Sequence, residues 1–547
     1  MTTQQSIPVA YFSAEYAIAD DMPIYAGGLG VLAADIVLQA AAENRPFMAM
    51  GLVYHQAFSG NDLDQRPIHE RLSSHGFEVA VHDGQRVTVT VQVADRTVKL
   101  QAWVKQWGQT SLVLLDTKLP ENDPRDQAVC DHLYASEHHL AMAQEICLGM
   151  GGVAMVRALG FQPQAWHLNE GHTALAGLAL ALEYLKGHTD SGLAAAAEAM
   201  RPVIAGTKHT ILPGAGLFLD WGSVELLLGP TLQASGIHLD ELISLAGRPQ
   251  QNDYSGTKLL VSLSGRQSGV SILHVSEEKR VHPSSTLIPI TNGIFRWRWT
   301  TKAWDGNPLE YDDAKFWAVH NENRRQLIEH VRQQTGKQLS NDWLTVVWAR
   351  RMAAYKRPEL LVSDTERLAK ILNNSDKPVQ IIVAGQANPA DMGGVELMQR
   401  IISAAKLPEL APRLAYLPGY NPVSAKFLVR GADVWLNTPI RGYEACGTSG
   451  MKASLNGALQ LSTSDGWVDE VKLQDIGWLL PDVGGEAASQ ALYDILEDEV
   501  APLFYWRTYG IPHYWIERMR ANMKLVLEGF TTERMLAEYY TKLYEHA

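Results

Sequence analysis

The most informative stretch of this chain is Glu444-Ala-Cys-Gly-Thr-Ser-Gly-Met-Lys452-Ala-Ser-Leu-Asn-Gly457, which follows an apolar, strand-like segment at 432–437. Its small residues allow backbone N–H groups to approach a ligand closely, and a helix that begins beside them favours an anion. A lysine one turn into that helix can reach a phosphate or form a Schiff base with an aldehyde. A capped helix start with an exposed Lys452 fits the same spacing, so the motif alone leaves both interpretations open.

A second cluster of charged residues points to an anion site. Residues 349–357 read Ala349-Arg-Arg-Met-Ala-Ala-Tyr-Lys-Arg357, so four cations lie within eight residues after an apolar segment. Arginine forks and a lysine point charge suit a dianionic phosphate. The usual alternative for such a run is a solvated basic helix end that pairs with local carboxylates. Because this cluster and the 444–457 motif both follow strand-like segments of one predicted sheet, we favour a phosphate site.

Both clusters belong to a regular alternation of strand-like and helical segments in the second half of the chain. Apolar strand candidates lie at 344–349, 379–384, 414–417, 432–437 and 458–461. Helical patterns separate these strands. Such an order predicts an α/β fold with a parallel, doubly wound sheet.

The first half of the chain predicts another α/β domain. A strand at 9–13 leads to the turn Gly27-Gly28-Leu29, which opens an alanine-rich helix and suits a phosphate, although close helix–strand packing explains the glycines equally well. Alternating apolar and polar residues from 87 to 116 predict inserted antiparallel strands. Two further strands lead to residues 169–172 and to Lys208-His209, and such exits are where open α/β sheets bind ligands.

The length of 547 residues allows two or more domains. We predict an N-terminal α/β domain at 1–290 that contains the inserted antiparallel strands. A C-terminal Rossmann-like domain is predicted at 291–513. The last predicted segment, 514–547, is helical and is expected to pack back on the N-terminal domain.

Composition describes an ordinary soluble globular protein, with 46% apolar and 20% charged residues. The formal net charge of −13 argues against non-specific binding to nucleic acid or anionic membranes. No signal peptide is recognisable, and no apolar run looks long enough to span a bilayer. Three cysteines without metal-ligand spacing or a disulfide pattern suit a reducing compartment. We therefore expect a cytoplasmic protein without nucleic-acid, membrane or metal partners.

Together these segments resemble the α-glucan phosphorylases, the family of glycogen, starch and maltodextrin phosphorylases, and most closely its shorter bacterial and archaeal branch. The lysine-containing motif is the most specific match, and the similarity runs from about Tyr11 to the final helix. The matching motifs, in family order, are Tyr11-Phe-Ser-Ala-Glu-Tyr16, Pro23-Ile-Tyr-Ala-Gly-Gly-Leu-Gly30, His167-Leu-Asn-Glu-Gly-His172, His209-Thr210, Thr291-Asn-Gly293, Ala349 to Arg357 and Glu444 to Gly457.

The resemblance implies a glycosyltransferase-B architecture, in which two doubly wound Rossmann-like domains face a cleft that holds the active site. It also implies a cofactor, pyridoxal 5′-phosphate (PLP), held by the C-terminal domain as a Schiff base on Lys452. The implied reaction is reversible phosphorolysis of terminal α-1,4-glucosidic bonds of glucans or maltodextrins by inorganic phosphate. It gives α-D-glucose 1-phosphate with retention, and the cofactor's 5′-phosphate serves as the proton relay. A homodimer is implied as well.

The same resemblance assigns roles to individual residues by motif match. The residues implied for catalysis are Arg351, Lys356, His209 and Glu444. Those implied for cofactor binding are Lys452, Arg350, Thr448, Ser449, Gly450 and Tyr420. Those implied for substrate binding are Gly27, Gly28, Leu29, Asn292, Cys446 and Gly447.

Three positions depart from the family pattern. Cys446 stands where serine is common, Gln386 where lysine is usual, and Val468 where the short branch commonly has a second tryptophan. The first change is small and could tune sugar contacts. The second removes one cation from the expected site.

Two other functions fit the same architecture. A nucleotide-sugar-dependent α-glucan glucosyltransferase, similar to glycogen synthase, needs no cofactor lysine, so Lys452 argues against it. A non-catalytic glucan-binding homologue is not favoured, because all the matched phosphate and cofactor residues are present. Fifteen tryptophans and nineteen tyrosines include candidates for stacking on sugars, although core packing is the expected use of most.

Overall fold

A computed structural model describes residues 6–57, 64, 66–211, 216–304, 306–388 and 391–545. The chain divides into two compact units. Unit 1 comprises Met1–Val270, Glu278–Ile290 and Met535–Ala547, and unit 2 comprises Ser271–Glu277 and Thr291–Arg534. Each unit packs helices around a largely parallel sheet, so the predicted α/β fold class is confirmed.

The main sheet of unit 1 carries strands from most of its length. The strands of this unit are β1 (Val9–Ser13), β2 (Phe47–Leu52), β3 (Glu78–Val79), β4 (Val81–His82), β5 (Gln85–Arg86), β6 (Thr88–Val93), β7 (Arg96–Trp107), β8 (Thr110–Asp116), β9 (Ala165–Asn169), β10 (Ile204–Lys208), β11 (Phe218–Asp220), β12 (Gly247–Arg248), β13 (Asp253–Ser255), β14 (Arg266–Gly269) and β15 (Ile288–Pro289). Among the described residues, ten strands form the main sheet in the order β15-β14-β10-β9-β1-β2-β8-β7-β3, with β6 paired to β7.

The predicted antiparallel strands at 87–116 are present as β6, β7 and β8. They do not form a separate insertion, however. Strand β8 also pairs in parallel with β2, and all seven of its residues are buried. Burial on both faces explains why β8 continues the main sheet.

Helices cover the sheet of unit 1. Their bounds are Gly28–Ala42, Ile68–Ser74, Pro124–Gln127, His138–Ile146, Gly152–Ala158, Ala174–Leu185, Leu193–Met200, Trp221–Ala234, Leu239–Ala246 and Gly256–Leu263. Two further helices, Ile272–Val281 and Thr532–Tyr539, each contain a boundary between the units.

One helix of unit 1 corrects an expectation from the sequence. A π-helical turn joins two segments into a continuous helix at His138–Ala158, which has 21 residues and a mean hydropathy of 1.3 in its most apolar window. By length and composition it is able to cross a membrane, so the prediction that no such run exists is wrong. Because 78% of that window is buried inside the protein, core packing accounts for its composition. Gly152, for example, lies so close to Phe12 that a Cβ atom would approach that ring within 2.5 Å.

Unit 2 is built on a parallel sheet of the Rossmann type. Its strands are β16 (Leu344–Ala349), β17 (Val379–Ala384), β18 (Leu414–Leu417), β19 (Val434–Asn437), β20 (Leu459–Thr463) and β21 (Gly477–Leu480). The order is β18-β17-β16-β19-β20-β21, so the chain runs outward from β16 and then returns to its other side. The five predicted strands are confirmed to within two residues. The reversal of order between β16 and β19 creates the crevice in which such sheets bind ligands.

Helices pack against this second sheet as the alternating sequence pattern predicts. Their bounds are Arg296–Trp299, Asp313–Thr335, Thr365–Leu372, Met392–Ala404, Pro422–Gly431, Ser449–Ser454, Gly485–Ile495, Ala501–Tyr505 and His513–Gly529. The last of these belongs to unit 2, because Trp515, Met519 and Met523 lie in its hydrophobic core. Of the predicted C-terminal segment 514–547, only residues from Met535 onward belong to unit 1.

A buried charge network fixes the two strands at the reversal point. Asp433 accepts hydrogen bonds from Arg324 Nη1 at 2.7 Å, from His320 Nε2 at 2.8 Å and from the Thr345 amide at 2.8 Å. Although burial alone would raise the pKa of Asp433, these partners lower it. The carboxylate therefore ties the helix Asp313–Thr335 to the start of both β16 and β19.

Gly385 directly follows β17 and packs against the backbone at the exit of β16. Its φ is +153°, and a Cβ atom there would lie 1.9 Å from the carbonyl oxygen of Arg350. We predict that Gly385→Ala lowers the free energy of unfolding by about 1–3 kcal/mol, because a clash with backbone cannot be relieved by a side-chain rotation. Chemical denaturation measures this change. Gly393→Ala is the control, since its Cβ atom meets only an ordinary contact at 3.6 Å. Equal stability of the two variants would contradict the predicted backbone clash at Gly385.

Candidate active site

The strands β16 and β19 deliver the two predicted clusters to one edge of the unit 2 sheet. Arg350 and Arg351 follow β16, and the loop that leads to Lys452 follows β19. Hydrogen bonds join the segments that follow β16 and β19. The Ile440 amide donates to the Tyr355 carbonyl at 2.8 Å, and the Thr438 hydroxyl donates to the Lys356 carbonyl at 2.7 Å. The predicted proximity of the two clusters is therefore present in the structure.

Glu444 lies between two cations of the first cluster. Its Oε2 atom is 3.0 Å from Arg350 Nη2 and 3.0 Å from Lys356 Nζ. Burial alone would raise the pKa of Glu444, but Arg350, Lys356 and Arg351 bring it down to about 2. The carboxylate is therefore ionised at neutral pH, and it neutralises only part of the positive charge around it.

The arginines of this cluster have hydrogen-bond donors that Glu444 does not occupy. Arg350 is largely buried, and its Nη1 atom has no hydrogen-bond partner among the residues that the structure describes. Arg351 is exposed and lies within electrostatic reach of Glu444. A buried guanidinium nitrogen without a partner is costly unless an acceptor binds. The cluster therefore has the donors and the charge for a phosphate oxygen.

Arg357, the fourth cation of the run, has a structural role. Its backbone is left-handed, with φ +47°, and its buried guanidinium donates to the carbonyls of Thr438, Pro439 and Val483. These bonds fix the exit of β19. Three cations of the four are therefore left for the anion site.

Lys452 is buried in the short helix Ser449–Ser454, which excludes the alternative of an exposed side chain. Its Nζ atom lies 4.1 Å from the ring centroid of Trp299. The Asn456 side chain donates to the carbonyls of both Lys452 and Trp299, which fixes the helix beside the indole. Trp299 was not predicted from the sequence. Its place six residues after the motif Thr291-Asn-Gly293 is the signal that could have found it.

The loop between β19 and Lys452 is held by side chains from three other segments. Asp465 accepts from the amides of Gly442 at 3.2 Å and Glu444 at 2.9 Å. Ser271 Oγ donates to the Ala445 carbonyl at 2.6 Å, and Asn292 Nδ2 donates to the Cys446 carbonyl at 3.2 Å. Burial, with a smaller effect of the Glu444 charge, raises the pKa of Asp465 to about 7. Asp465 is thus a positioning residue, and this role was not predicted from the sequence.

Other predicted site residues of unit 2 surround the same cations. A Cβ atom at Gly447 would lie 2.7 Å from Arg350 Nη2, so a larger residue there would displace the guanidinium from its present position beside Glu444. The Thr448 side chain does not cap the helix that follows. Burial raises the pKa of Tyr420 to about 12, and the charge of Arg350 opposes that rise, which places the two groups near each other. Burial also raises the pKa of the Cys446 thiol, so this group is neutral.

The departures at Gln386 and Val468 lie in the supporting structure. The Gln386 carbonyl accepts from the Met352 amide at 2.9 Å, which continues the pairing of β16 and β17 beyond their ends. Val468 is buried in a short helical turn after Asp465.

The predicted site residues of unit 1 lie at the exits of its central strands. Gly27 precedes the helix Gly28–Ala42, and its amide donates to Glu15 Oε2 at 3.0 Å. Gly27 and Gly28 are exposed, and a Cβ atom at either would meet no described atom within 4 Å. Packing does not explain these two glycines. Leu29 follows them in the first turn of the helix.

His209 follows β10 and is held in a fixed orientation. Its Nε2 atom lies 2.6 Å from Asn169 Oδ1, and its amide donates to Glu170 Oε2 at 2.8 Å. Burial lowers the pKa of His209 to about 4, and the nearby Glu170 charge does not reverse this shift. The imidazole is therefore neutral at pH 7.

We predict that Glu444→Gln destabilises the protein at pH 7 by about 3 kcal/mol, since the folded pKa of about 2 lies well below the ordinary value of 4.5. The stabilisation from a lowered carboxyl pKa is complete above the unfolded pKa and is lost as pH falls through the folded one. The difference from the unaltered protein should therefore be smaller at pH 3 than at pH 7 in urea denaturation.

Glu366→Gln serves as the control, because the Glu366 side chain is 84% exposed. That variant should differ little from the unaltered protein at either pH. A destabilisation by Glu444→Gln that is the same at both pH values would contradict the ionised state of Glu444.

Comparison with known proteins agrees with this geometry. Residues 310–477 match the family model described as carbohydrate phosphorylase. The chain is 33% identical to a glycogen phosphorylase of Aquifex aeolicus over 98% of its length and 86% of the relative's. It is 33% identical to a maltodextrin phosphorylase of Thermococcus litoralis, and 32% identical to a glycogen phosphorylase of Mycobacterium tuberculosis, each over 99% of this chain and 71% of the relative. The chain therefore belongs to the carbohydrate phosphorylase family.

Proposed function

We propose that this protein is an α-glucan phosphorylase. It catalyses reversible phosphorolysis of terminal α-1,4-glucosidic bonds of glucans or maltodextrins and releases α-D-glucose 1-phosphate with retention. The observation that carries the proposal is the cluster of Arg350, Lys356 and Glu444 at the reversal point of the unit 2 sheet, on the exits of β16 and β19, the second of which leads to the buried Lys452. A surplus of fixed cations at such a crevice suits a reaction in which phosphate is a substrate.

We propose PLP as the cofactor, attached at Lys452. The residues fit this group: the Lys452 Nζ atom is buried against an aromatic ring, and Arg350 Nη1 is a buried donor that lacks a partner within the described part of the chain. Thr448, Ser449, Gly450 and Tyr420 are the further residues assigned to it. When bound, the cofactor supplies a phosphate group that gives and takes a proton.

The protein's own residues then bind and orient the substrates. Arg351 and Lys356 bind the substrate phosphate, and Gly28 and Leu29 offer it backbone N–H groups. Gly27, whose amide donates to Glu15 Oε2, contributes by leaving room for the phosphate to approach. Two adjacent phosphates repel each other strongly at reduced dielectric, so these cations lower the energy of the reacting state.

The glucosyl unit needs hydrogen-bond partners that stay fixed. We assign this role to Glu444, Asn292, His209, Cys446 and Gly447. Asn292 Oδ1 is buried and accepts no hydrogen bond within the described ranges, so it is available to a sugar hydroxyl. Glu444 is ionised and held by two cations, so its carboxylate can accept a hydrogen bond from a sugar hydroxyl without changing its position.

We further propose that the enzyme acts in the cytoplasm as a homodimer. Its three cysteines are all free, which suits a reducing compartment. The net charge of −13 disfavours nucleic acid and anionic membranes as partners.

Lys452→Ala tests the proposal most directly. We predict that the variant loses the absorbance band of bound PLP and that its formation of glucose 1-phosphate from maltodextrin and phosphate falls by roughly three orders of magnitude or more. Lys472→Ala is the control, because Lys472 is exposed. A Lys452→Ala variant that keeps both cofactor and activity would sink the mechanism. Activity with a nucleotide-glucose donor but none with phosphate would contradict the proposed reaction.

Arg351→Ala separates phosphate binding from folding. Because Arg351 is exposed, we predict an unchanged melting temperature and a KM for phosphate that rises about tenfold, as expected when a charge-assisted hydrogen bond is lost. Steady-state kinetics at varied phosphate measures this effect. Arg325→Ala, which removes an exposed arginine paired with Glu322, should leave the KM unchanged. An unchanged KM in the Arg351 variant would remove this residue from the phosphate site.

A further inference from the structure

Three large aromatic side chains are exposed within one short segment of unit 2. Trp506 is 59% exposed, Tyr509 is 99% exposed and Tyr514 is 53% exposed. The structure describes all fifteen tryptophans, and Trp506 and Trp297 are the two that are exposed. Burying aromatic surface is strongly favourable, so three exposed rings in nine residues call for an explanation.

The segment is a rigid hairpin rather than a loose loop. Thr508 and Ile511 exchange backbone hydrogen bonds of 3.0 and 3.1 Å, with Tyr509 and Gly510 as the two turn residues. The hairpin is anchored on both sides, since Phe504 and Trp515 lie in the core of unit 2. The backbone that carries the exposed rings is therefore held in place at both ends.

The conformation of Tyr509 is unfavourable for its side chain. Its φ is +52°, in the left-handed region that asparagine and glycine adopt more readily at this turn position. The ring is almost fully exposed, so core packing does not compensate for the strain. The two-residue turn requires this backbone conformation, so what folding does not explain is the choice of an exposed tyrosine at that position, which points to a binding role.

Trp506 and Tyr514 form the second part of the surface. Their ring centroids are 4.7 Å apart with planes inclined by 40°, so each ring supports the other while more than half of each side chain stays in contact with solvent. Polar residues lie between the rings along the chain: Thr508 is exposed, His513 is paired with Asp313, and the Arg507 guanidinium lies 5.2 Å from the ring centroid of Phe504.

The size of this surface decides what kind of partner fits it. From the exposed fractions and an area of about 150–250 Å² per aromatic side chain, the three rings offer roughly 400 Å². A stable protein interface needs about 800 Å² on each partner. The rings are also bordered by charged and polar residues, which limits the apolar area. A small ligand with flat apolar faces and polar edges fits better than a second protein.

We propose that Trp506, Tyr509 and Tyr514 form a platform that binds an α-glucan chain on the surface of unit 2. The C–H face of a pyranose ring packs on an aromatic ring, and its hydroxyl edge forms hydrogen bonds with exposed polar groups such as Thr508. The platform contains none of the residues assigned to the reaction. The choice of α-glucan rests on the proposed function, because the substrate is a polymer with many equivalent units.

Native gel electrophoresis in the presence of soluble glycogen tests the platform. Glycogen should retard the unaltered protein, whereas dextran, an α-1,6-linked glucan, should retard it less. In Trp506→Ala and Tyr514→Ala the apparent affinity for glycogen should fall about tenfold or more. Tyr509→Asn should weaken retardation too, while its side chain suits the left-handed turn and keeps the hairpin folded. Turnover of a short maltodextrin should stay within about twofold in all three variants.

Trp297→Ala is the matched control, since it removes an equally exposed tryptophan of the same unit. Unchanged retardation in all three platform variants would overturn the proposal, and so would equal retardation of the Trp297 variant and the Trp506 variant. A change in oligomeric state of the variants, measured by light scattering, would assign the surface to a protein interface instead. Because retardation is measured without phosphate, absence of phosphorolysis in the unaltered protein would overturn the proposed function and leave the binding result separate.

Discussion

The candidate site depends on one carboxylate that two cations share. Glu444 contacts Arg350 and Lys356 at 3.0 Å, and all three side chains are largely buried. A buried charge without a partner destabilises the fold by roughly 3–5 kcal/mol, so none of these three charged side chains would be tolerated there without the others. Sharing one anion between two cations holds both cations in place and leaves the cluster positive. The geometry of an anion site therefore exists before any anion binds.

The strand order of unit 2 is what brings these groups together. Arg350 and Lys356 follow β16, whereas Glu444 follows β19, nearly ninety positions later along the chain. The two strands are neighbours because the order of the sheet reverses between them. Asp433 fixes their starts, and Arg357 fixes their exits by donating to carbonyls beyond β19. The ion cluster is thus a consequence of topology, secured at both ends of the two strands.

Much of this arrangement was predictable from the sequence. Local apolar runs separated by helical patterns predicted the strands of unit 2, and the cations and Lys452 at their ends predicted the candidate site. What the sequence could not show are contacts made by distant segments. Arg357 looks like its neighbours in the sequence, yet a left-handed backbone turns its guanidinium toward carbonyls. Trp299 acts by packing against Lys452, and Asp465 acts by accepting hydrogen bonds from backbone amides. Neither kind of contact produces a recognisable motif in the sequence. The helix at 138–158 is long and apolar enough to pass as a membrane span even though Gln144 and Glu145 interrupt its apolar residues.

The pKa values of two carboxyl groups in this site shift in opposite directions, and their surroundings explain why. Cations lower the pKa of Glu444 to about 2, whereas Asp465 has backbone amides as partners and burial raises its pKa to about 7. The folded protein therefore holds a proton on Asp465 between about pH 4 and pH 7 that the unfolded chain has released, so this group's contribution to stability falls as pH rises over that interval. Glu444 contributes in the opposite sense, at pH values below about 4.5. Near neutral pH the loop that carries Glu444 is consequently held by a group that titrates, while Glu444 itself stays charged.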